Sequence, residues 1–460
     1  MKKYLLFALA IQITMQISAQ NIIGNWEGIL AVQGTELPLI FKITQDGDGL
    51  TATMDSPKQN AFDLPTASCK FIDGRLTITA PALGLTFTGK LEGDEIDGNF
   101  KQGMMAIPLK MVRMQKEPEG PKVRPQDPKP PFPYTSTDIT FENETAGIKL
   151  AGTLTVPQNV NNPPVAIMIS GSGPQNRDEE IMNHRPFWVW ADHLTRQGIA
   201  VLRYDDRGVA ASEGDFATAT SEDFAKDAQA AITYLGQQDQ FAESPIGIIG
   251  HSEGGMIAPM VAAEDKEVDF IVLLAGPGVP NDELMYLQNE RYIETQEIPD
   301  TAKQTFLSQQ KSLFGLVKTS GDLSSEELED LVFQEYEKRN GGINLRDNAE
   351  IQGAVKQFTA PWMRFFLAYD PAPTLAKVQC PVLAINGGKD VQVVAEQNIP
   401  GIEEALTQGG NENFTVKVFP DLNHLFQKAE TGQVDEYEKI DETVNVAVLE
   451  YVTQWILDIL

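Results

Sequence analysis

The stretch Ile246-Gly-Ile-Ile-Gly-His-Ser-Glu-Gly-Gly-Met-Ile-Ala258 contains the pattern Gly-x-Ser-x-Gly between an apolar run and a helix-like segment. A serine hydroxyl is an effective nucleophile only when a base can take its proton, so it must project from a sharp turn that base and substrate both reach. Glycines two positions before and after Ser252 permit such a turn, because a Cβ at either position would clash with the adjoining strand or helix. The pattern therefore predicts a strand, a tight turn carrying Ser252, and a helix. The alternative is a Gly-Ser-Gly turn without a catalytic role.

The base is sought among four histidines, which are His184, His193, His251 and His424. In folds that carry this turn, the order along the chain is nucleophile, acid, histidine, and only His424 can occupy the last place. It follows a strand-like run and a turn, 420–423, which predicts a loop position at one edge of a sheet. We expect the side chain of His251 to point away from Ser252, and we expect the two earlier histidines to be surface or packing residues.

Asp390 is the predicted acid. The apolar run 381–386 is followed by Gly387-Gly-Lys-Asp390, which places this carboxylate on the loop after a core strand. A carboxylate there would accept the Nδ1 hydrogen of His424 and leave Nε2 free to deprotonate Ser252. Asp421 is the second candidate, but it lies in the turn just before the histidine, where aspartate commonly shapes the turn itself.

A serine nucleophile also needs two donors for the developing oxyanion, normally the amide after the serine and one amide from an earlier strand-end loop. Glu253 supplies the first amide. The second is expected from the glycine-rich loop 170–174, where we favour the amide of Ser172 over its neighbours. This loop lacks the spacing of both common nucleotide-binding glycine patterns, which argues against a phosphate site.

Short apolar runs recur along the second part of the chain, as expected for strands buried on both faces. Helix-like segments separate them, and one of these follows Thr220-Ser-Glu-Asp223, which has the pattern of a capping box. The alternation predicts an α/β fold with a doubly wound, mainly parallel sheet, in which ligands bind at the strand-end loops. The runs are 165–169, 199–202, 246–249, 270–274, 382–385 and 414–419.

About a hundred residues separate the fourth of these runs from the fifth, far more than a crossover needs. Their pattern indicates several amphipathic helices, and the segment 361–367 is rich in aromatic residues. We interpret residues 277–370 as an inserted helical lid that roofs Ser252. The aromatic residues are as compatible with an ordinary core as with the wall of a pocket.

Residues 135–460 resemble the α/β-hydrolase superfamily, and within it the serine esterases and the dienelactone-hydrolase-like or serine-aminopeptidase-like proteins. The resemblance rests on Ser170-Gly-Ser-Gly-Pro-Gln-Asn-Arg-Asp178, Tyr204-Asp-Asp-Arg-Gly-Val-Ala-Ala-Ser212, the serine turn, Gly387-Gly-Lys-Asp390 and Asn423-His424. Ala210 departs from the glycine that such proteins often have in the second motif. The resemblance implies hydrolysis through an acyl-serine intermediate, most often of a carboxylic ester.

The first residues, Met1-Lys2-Lys3 followed by an apolar stretch and Ile17-Ser-Ala19, are typical of a secretory signal peptide spanning 1–19. They predict an exported protein, periplasmic or extracellular, without a membrane anchor. The chain has 36 Lys and Arg residues against 65 Asp and Glu residues, a formal net charge of −29. Such acidity opposes association with nucleic acid.

Residues 20–115 are predicted to form a separate all-β barrel or sandwich, because short alternating runs are divided by turn sequences at 46–49, 73–74, 92–94 and 97–98. The opening Gly24-Asn-Trp-Glu-Gly28 resembles the start of a lipocalin-like barrel. A proline-rich segment, 116–134, is expected to be a stiff linker, and residues 135–460 form the predicted catalytic domain.

These observations favour an exported serine hydrolase that acts on a small-molecule ester with Ser252, His424 and Asp390, and with no cofactor and no metal. The alternatives are a serine-aminopeptidase-like peptidase and a binding protein that keeps the fold without turnover. The sequence is also compatible with a homo-oligomer formed through the β domain or the lid.

Overall fold

The computed structural model describes residues 22–32, 35–47, 49–57, 61–81, 85–102, 105–116, 123–321 and 323–460. The chain divides into two compact units between Val123 and Arg124. The expected signal peptide, 1–19, lies outside the described residues, and so do residues 117–122 of the expected linker. None of the described helices is long and apolar enough to cross a membrane.

The described part of the first unit forms an antiparallel barrel, which is one of the two architectures expected. The strand order is β2-β1-β9-β8-β7-β6-β5-β3-β4, and an additional pairing of β2 with β3 closes the sheet on itself. Trp26 of the lipocalin-like motif is fully buried in the barrel core, where its Nε1 donates a hydrogen bond to the backbone oxygen of Ile22 at 2.8 Å. The strands are β1 (Gly24–Val32), β2 (Thr35–Asp46), β3 (Gly49–Ser56), β4 (Ala61–Pro65), β5 (Ser68–Ile72), β6 (Arg75–Ala80), β7 (Leu85–Glu92), β8 (Glu95–Gln102) and β9 (Met105–Arg113).

One of the predicted turns in this unit is wrong. Asp73-Gly74 does connect β5 to β6, and both residues have the positive φ angles that a tight hairpin turn requires, 50° and 77°. Asp97-Gly98, in contrast, lies inside β8, where Gly98 faces Gly89 of β7. A Cβ on Gly98 would lie 2.7 Å from a ring carbon of Phe87. The glycine is therefore explained by the room that the buried ring needs, which a turn-forming dipeptide does not reveal in the sequence.

The second unit is built on an eight-stranded sheet of order β10-β11-β13-β12-β14-β15-β16-β17. The six strands β12 to β17 are parallel to one another. The two strands of the hairpin β10–β11 are antiparallel, and β11 pairs with β13 in antiparallel fashion. The mainly parallel sheet and its leading hairpin are confirmed. The strands are β10 (Tyr134–Asn143), β11 (Ile148–Pro157), β12 (Val165–Ile169), β13 (Ala200–Tyr204), β14 (Ile246–His251), β15 (Phe270–Leu274), β16 (Val382–Gly387) and β17 (Phe414–Phe419).

Helices cover both faces of this sheet and bury two large apolar cores. The capping box expected at Thr220 is present and begins α2. Between β15 and β16 the chain forms α4 to α9, and the first five of these helices lie within the predicted helical insertion, 277–370. The helices are α1 (Pro186–Arg196), α2 (Ser221–Gly236), α3 (Glu253–Glu264), α4 (Asn281–Glu294), α5 (Asp300–Lys318), α6 (Ser325–Arg339), α7 (Ala349–Thr359), α8 (Pro361–Ala368), α9 (Ala372–Leu375), α10 (Ala395–Gln408) and α11 (Val446–Ile459).

The beginning of the second unit is held by one buried arginine. The guanidinium of Arg124 donates hydrogen bonds to the backbone oxygens of Met182, Asn183, Glu438 and Ile440. Its side chain is fully buried. The last part of the proline-rich segment, 124–133, therefore begins with a residue that is anchored to the second unit.

Candidate active site

Ser252 occupies the sharp turn between β14 and α3. Its backbone has φ 53° and ψ −116°, a strained conformation for a residue other than glycine. A Cβ on Gly250 would overlap the backbone oxygen of Gly254, and a Cβ on Gly254 would overlap that of Ile169. The two glycines are thus required by the close approach of strand and helix, as the spacing predicted.

Asp390 and His424 meet on neighbouring loops at the carboxyl edge of the sheet. Nδ1 of His424 lies 2.7 Å from Oδ2 of Asp390, and both side chains are buried. Oδ1 of Asp390 accepts the amides of Gln392 and Val393 at 2.8 and 2.9 Å, which fixes the carboxylate. These loops follow β16 and β17, which are adjacent parallel strands.

Gly387 explains how the two loops come so close. A Cβ there would overlap the backbone oxygen of Leu422 on the loop that carries His424. The glycine before Asp390 is therefore a site of close backbone approach as well as part of a turn.

The other candidates lie elsewhere. Asp421 is exposed to solvent. His184 is buried, with its ring nitrogens bonded to the Thr443 hydroxyl and the backbone oxygen of Tyr437. His193 is half-buried on α1, and burial lowers its pKa. Asp421, His184 and His193 are not among the residues that line the cavity beside Ser252.

Ser252 and His424 line one cavity of about 290 Å³. The helical insertion supplies much of the opposite wall, through residues of α4, α7 and α8. Trp362 and Phe366 of α8 both line this cavity, so part of the aromatic segment faces it. Their rings stack, with centroids 4.8 Å apart. The wall residues from the insertion are Leu284, Met285, Gln288, Gln357, Trp362, Met363 and Phe366.

The glycine-rich loop after β12 borders the same cavity. Asp206 holds both ends of this loop, because it accepts the hydroxyl of Ser170 at 2.9 Å and the amide of Gln175 at 3.0 Å. Burial, together with the negative charges of Glu253 and Glu179, raises the pKa of Asp206 to about 8, although both hydrogen bonds act in the opposite direction. The buried surroundings of Asp206 therefore favour its protonated form.

One amide of this loop is already engaged. Gly171 donates its N–H to Oε1 of Glu179 at 2.6 Å. Ser172, the residue favoured from the sequence, lines the cavity next to Ser252. The amide of Glu253 is the first of α3, a position that has no acceptor within the helix.

The side chain of Glu253 joins three elements around the cavity. Its Oε1 accepts the Ser221 hydroxyl of α2 at 2.6 Å and Nε1–H of Trp362 in the insertion at 2.8 Å. A hydrogen bond from the Ser172 side chain also reaches this carboxylate. Burial raises the pKa of Glu253, and the three donors oppose the rise. The sequence indicated a role for the backbone of Glu253, but nothing in it pointed to this side chain.

Two further residues were missed. His251, whose side chain was expected to point away from Ser252, lines the same cavity, and its ring lies 4.7 Å from the ring of His424. Its Nδ1 lies 2.9 Å from Oε1 of Glu179. Glu179 directly follows the recognised motif 170–178, but only the folded chain brings it to the serine turn.

No group of three or more His, Cys, Asp or Glu side chains is arranged to hold a metal ion within the described residues. The expectation that the site works without metal or cofactor stays a prediction.

The mainly parallel sheet, the strained serine at a strand-to-helix turn and the helical insertion define an α/β-hydrolase. A family profile described as X-Pro dipeptidyl-peptidase (S15 family) matches residues 146–409. The chain belongs to this family and is a hydrolase.

Two curated relatives extend the comparison. The chain is 26% identical to esterase EstD of Thermotoga maritima over 328 residues, which are 71% of this chain and 68% of the relative. It is 25% identical over 260 residues to an uncharacterized 31.7 kDa protein from the traX-finO intergenic region of Escherichia coli, covering 54% of this chain and 78% of that protein.

Solved structures of similar proteins include the Pyrococcus furiosus esterase Pf2001, at 17% identity and a TM-score of 0.42, covering 71% of this chain and 93% of that one. Another is Est1E of Butyrivibrio proteoclasticus with bound ferulic acid, at 18% identity and a TM-score of 0.42. The match covers 70% of this chain and 98% of Est1E.

Proposed function

We propose that the protein is a serine hydrolase that cleaves carboxylic esters through an acyl-serine intermediate. The observation that carries the proposal is the 2.7 Å contact between Asp390 and Nδ1 of His424 beside the cavity that Ser252 lines. The name of the Thermotoga maritima relative, an esterase, supports the same chemistry.

In the proposed acylation step, Asp390 accepts the Nδ1 hydrogen of His424, which leaves Nε2 unprotonated. Nε2 takes the hydroxyl proton of Ser252 while the serine oxygen bonds to the acyl carbon. The carbonyl oxygen becomes an oxyanion, which the amides of Glu253 and Ser172 stabilise. Nε2–H then protonates the leaving alcohol as its bond to the acyl carbon breaks.

Deacylation repeats the sequence with water. His424 removes a proton from a water molecule, whose oxygen attacks the acyl-serine, and the same two amides hold the second oxyanion. Collapse releases the carboxylic acid and returns the proton to Ser252. The apolar side chains that the insertion contributes to the cavity would exclude bulk water and contact the acyl or alcohol group.

A peptidase is the second candidate, because the family is described by X-Pro dipeptidyl-peptidase activity. A peptidase that acts at an amino terminus needs an acidic partner for the substrate ammonium group. Glu179 and Glu253 both border the cavity, but each already accepts hydrogen bonds from the protein. Their engagement favours ester over ammonium-bearing substrates.

The test is hydrolysis of p-nitrophenyl esters of short to long acyl chains beside aminoacyl and X-Pro dipeptidyl p-nitroanilides. Both the protein without residues 1–19 and its Ser252→Ala variant are assayed. Ester turnover that disappears in the variant supports the proposal, and serine-dependent anilide turnover alone would establish the peptidase. If neither the esters nor the anilides are hydrolysed, and a fluorophosphonate does not label Ser252, a binding protein would be favoured.

We further propose export to the periplasm or the medium, on the strength of the charged, apolar and small-residue regions of residues 1–19. Cell fractionation and sequencing of the mature amino terminus test this proposal. An amino terminus at Gln20 in the exported fraction is expected, whereas an intact Met1 in the cytoplasm would contradict it. The absence of nucleic-acid and membrane-anchor partners, and a homo-oligomer, stay predictions.

A further inference from the structure

Glu179 connects the glycine-rich loop to the serine turn. A single oxygen, Oε1, lies 2.6 Å from the amide nitrogen of Gly171 and 2.9 Å from Nδ1 of His251. The side chains of Glu179 and His251 are buried, with 5% and 8% of their surface exposed. Glu179 itself has φ 50°, a left-handed conformation that a glutamate adopts only at a cost. The residue whose backbone is strained is therefore the same residue whose carboxylate makes these two contacts.

His251 extends the connection to a third loop. Its Nε2 lies 3.0 Å from the backbone oxygen of His424. The residue before the proposed nucleophile is thus bonded on one side to the glycine-rich loop, through Glu179, and on the other side to the loop of the proposed base.

The two partners of His251 decide how many protons its ring holds. A backbone carbonyl can only accept a hydrogen bond, so Nε2 must carry a hydrogen. An ionised carboxylate can also only accept, so Nδ1 facing Glu179 must carry one as well. A ring with hydrogens on both nitrogens is an imidazolium cation. Beside an ionised Glu179, a neutral ring would leave one of the two contacts as a repulsion between lone pairs.

We propose that Glu179 and His251 form a buried carboxylate–imidazolium pair that positions the glycine-rich loop, the serine turn and the His424 loop for catalysis. Neither residue reacts with substrate, and both act through the groups that they hold. The proposal rests on the serine hydrolase function proposed above.

The electrostatic surroundings support this protonation. Burial alone would lower the pKa of His251, but the negative charge and hydrogen bond of Glu179 raise it, together with the backbone oxygen of His424 and the charge of Asp390. The net effect raises the pKa above its ordinary value. The ionisable groups that face this ring are Glu179 from the loop after β12, Asp390 after β16 and His424 after β17.

Glu179→Gln separates this proposal from a purely structural role. The amide has the shape of the carboxylate and can still accept the Gly171 N–H, but it lacks the charge that retains the second proton on His251. Loss of an opposite charge at this distance is expected to lower the pKa of the ring by about one to three units. The ratio of kcat/KM between wild type and variant should then be smallest below the His251 pKa of the variant. It should rise to about tenfold or more between the two pKa values, and fall again above the pKa of the wild type, where both rings are neutral.

Glu180→Gln is the matched control. Glu180 is adjacent in sequence, but its carboxylate pairs with Arg185 and Asn176, whereas that of Glu179 contacts Gly171 and His251. Its kcat/KM should stay near that of wild type at every pH. A Glu179→Gln ratio that does not change with pH would overturn the proposal, because loss of structure alone has no reason to follow the titration of His251.

A second measurement needs neither turnover nor a folded Glu179 variant. In the ¹⁵N spectrum of Ser252→Ala at neutral pH, assigned by substitution of the other three histidines one at a time, both ring nitrogens of His251 should be coupled to a proton. A nitrogen without a proton would overturn the pair. If the spectrum shows two protonated nitrogens while Ser252→Ala retains full activity, the proposed function fails and the pair remains.

Discussion

Nδ1 of His424 lies 2.7 Å from Oδ2 of Asp390, although 34 residues separate them in the chain. The contact is made by loops that leave adjacent parallel strands in the same direction. A carboxylate at this position determines which nitrogen of the imidazole carries the proton.

Replacing Asp390 by Asn tests that contact. The amide would donate a hydrogen to Nδ1, which forces the proton onto Nε2 and removes the base that Ser252 needs. The expected loss in kcat is about 10⁴-fold, measured with the best p-nitrophenyl ester. Asp421→Asn, on the exposed turn before His424, is the control and should keep wild-type kcat. Comparable losses in both variants would refute the assignment of Asp390.

Asp206→Asn should make the protein less sensitive to alkaline pH. The pKa of Asp206 is raised to about 8 in the folded protein from an ordinary value near 3.8, so folding favours its protonated form. The stability that this form contributes is complete below pH 3.8 and is lost as the pH rises through 8. An asparagine can accept the Gln175 amide and donate to the Ser170 hydroxyl, and it does not titrate.

The free energy of unfolding of Asp206→Asn, relative to wild type, is therefore expected to increase by about 3 kcal/mol between pH 5 and pH 8. Urea unfolding at several pH values measures the difference, in which titrating groups that do not interact with Asp206 cancel. A difference that is independent of pH would mean that Asp206 is ionised throughout this range.

Trp362→Phe removes the hydrogen bond between the insertion and Glu253. The phenyl ring can still stack on Phe366, but the buried carboxylate loses one of its donors. We expect KM for the larger esters to rise about tenfold with a smaller change in kcat, because the cavity wall is less well held. Phe365→Leu on the same helix, whose ring stacks on Tyr369, is the control. Equal effects on KM would show that the change only weakens the helix.

Gly254→Ala should be strongly destabilising. The added methyl group would overlap the backbone oxygen of Ile169 in β12, which cannot move without disturbing the central sheet. A loss of about 3 kcal/mol in unfolding free energy is expected, visible as a lower Tm. Gly236→Ala, at the end of α2 where no atom lies within 4 Å of the new methyl, should leave Tm unchanged or slightly higher. A normal Tm for Gly254→Ala would contradict the tight packing of the serine turn.

The parts of the fold that follow local rules could be predicted from the sequence. Buried parallel strands are nearly continuous apolar runs, so 165–169 and 270–274 coincide with strands to the residue. The run 414–419 also coincides with a strand, β17, whose residues at the sheet edge are mostly half-buried. The chain order of nucleophile, acid and base then led to Ser252, Asp390 and His424, which the structure brings to one edge of the sheet. Their catalytic roles stay predictions.

The contacts that were missed all join distant segments. His251 is 72 residues from Glu179 and 173 from the backbone oxygen that it contacts, and Trp362 is 109 residues from Glu253. No local pattern encodes such pairs, because each residue alone has an ordinary local explanation. The prediction of a turn at Asp97-Gly98 was wrong for a related reason, because Gly98 makes room for the ring of Phe87 on the neighbouring strand.

The most direct test is mass spectrometry of the protein quenched in acid during turnover of a p-nitrophenyl ester. A stable acyl group on the peptide that contains Ser252, present in wild type and absent from Ser252→Ala, is expected. An acyl group on another residue, or ester turnover that persists in Ser252→Ala with no acylated peptide, would contradict the acyl-serine mechanism.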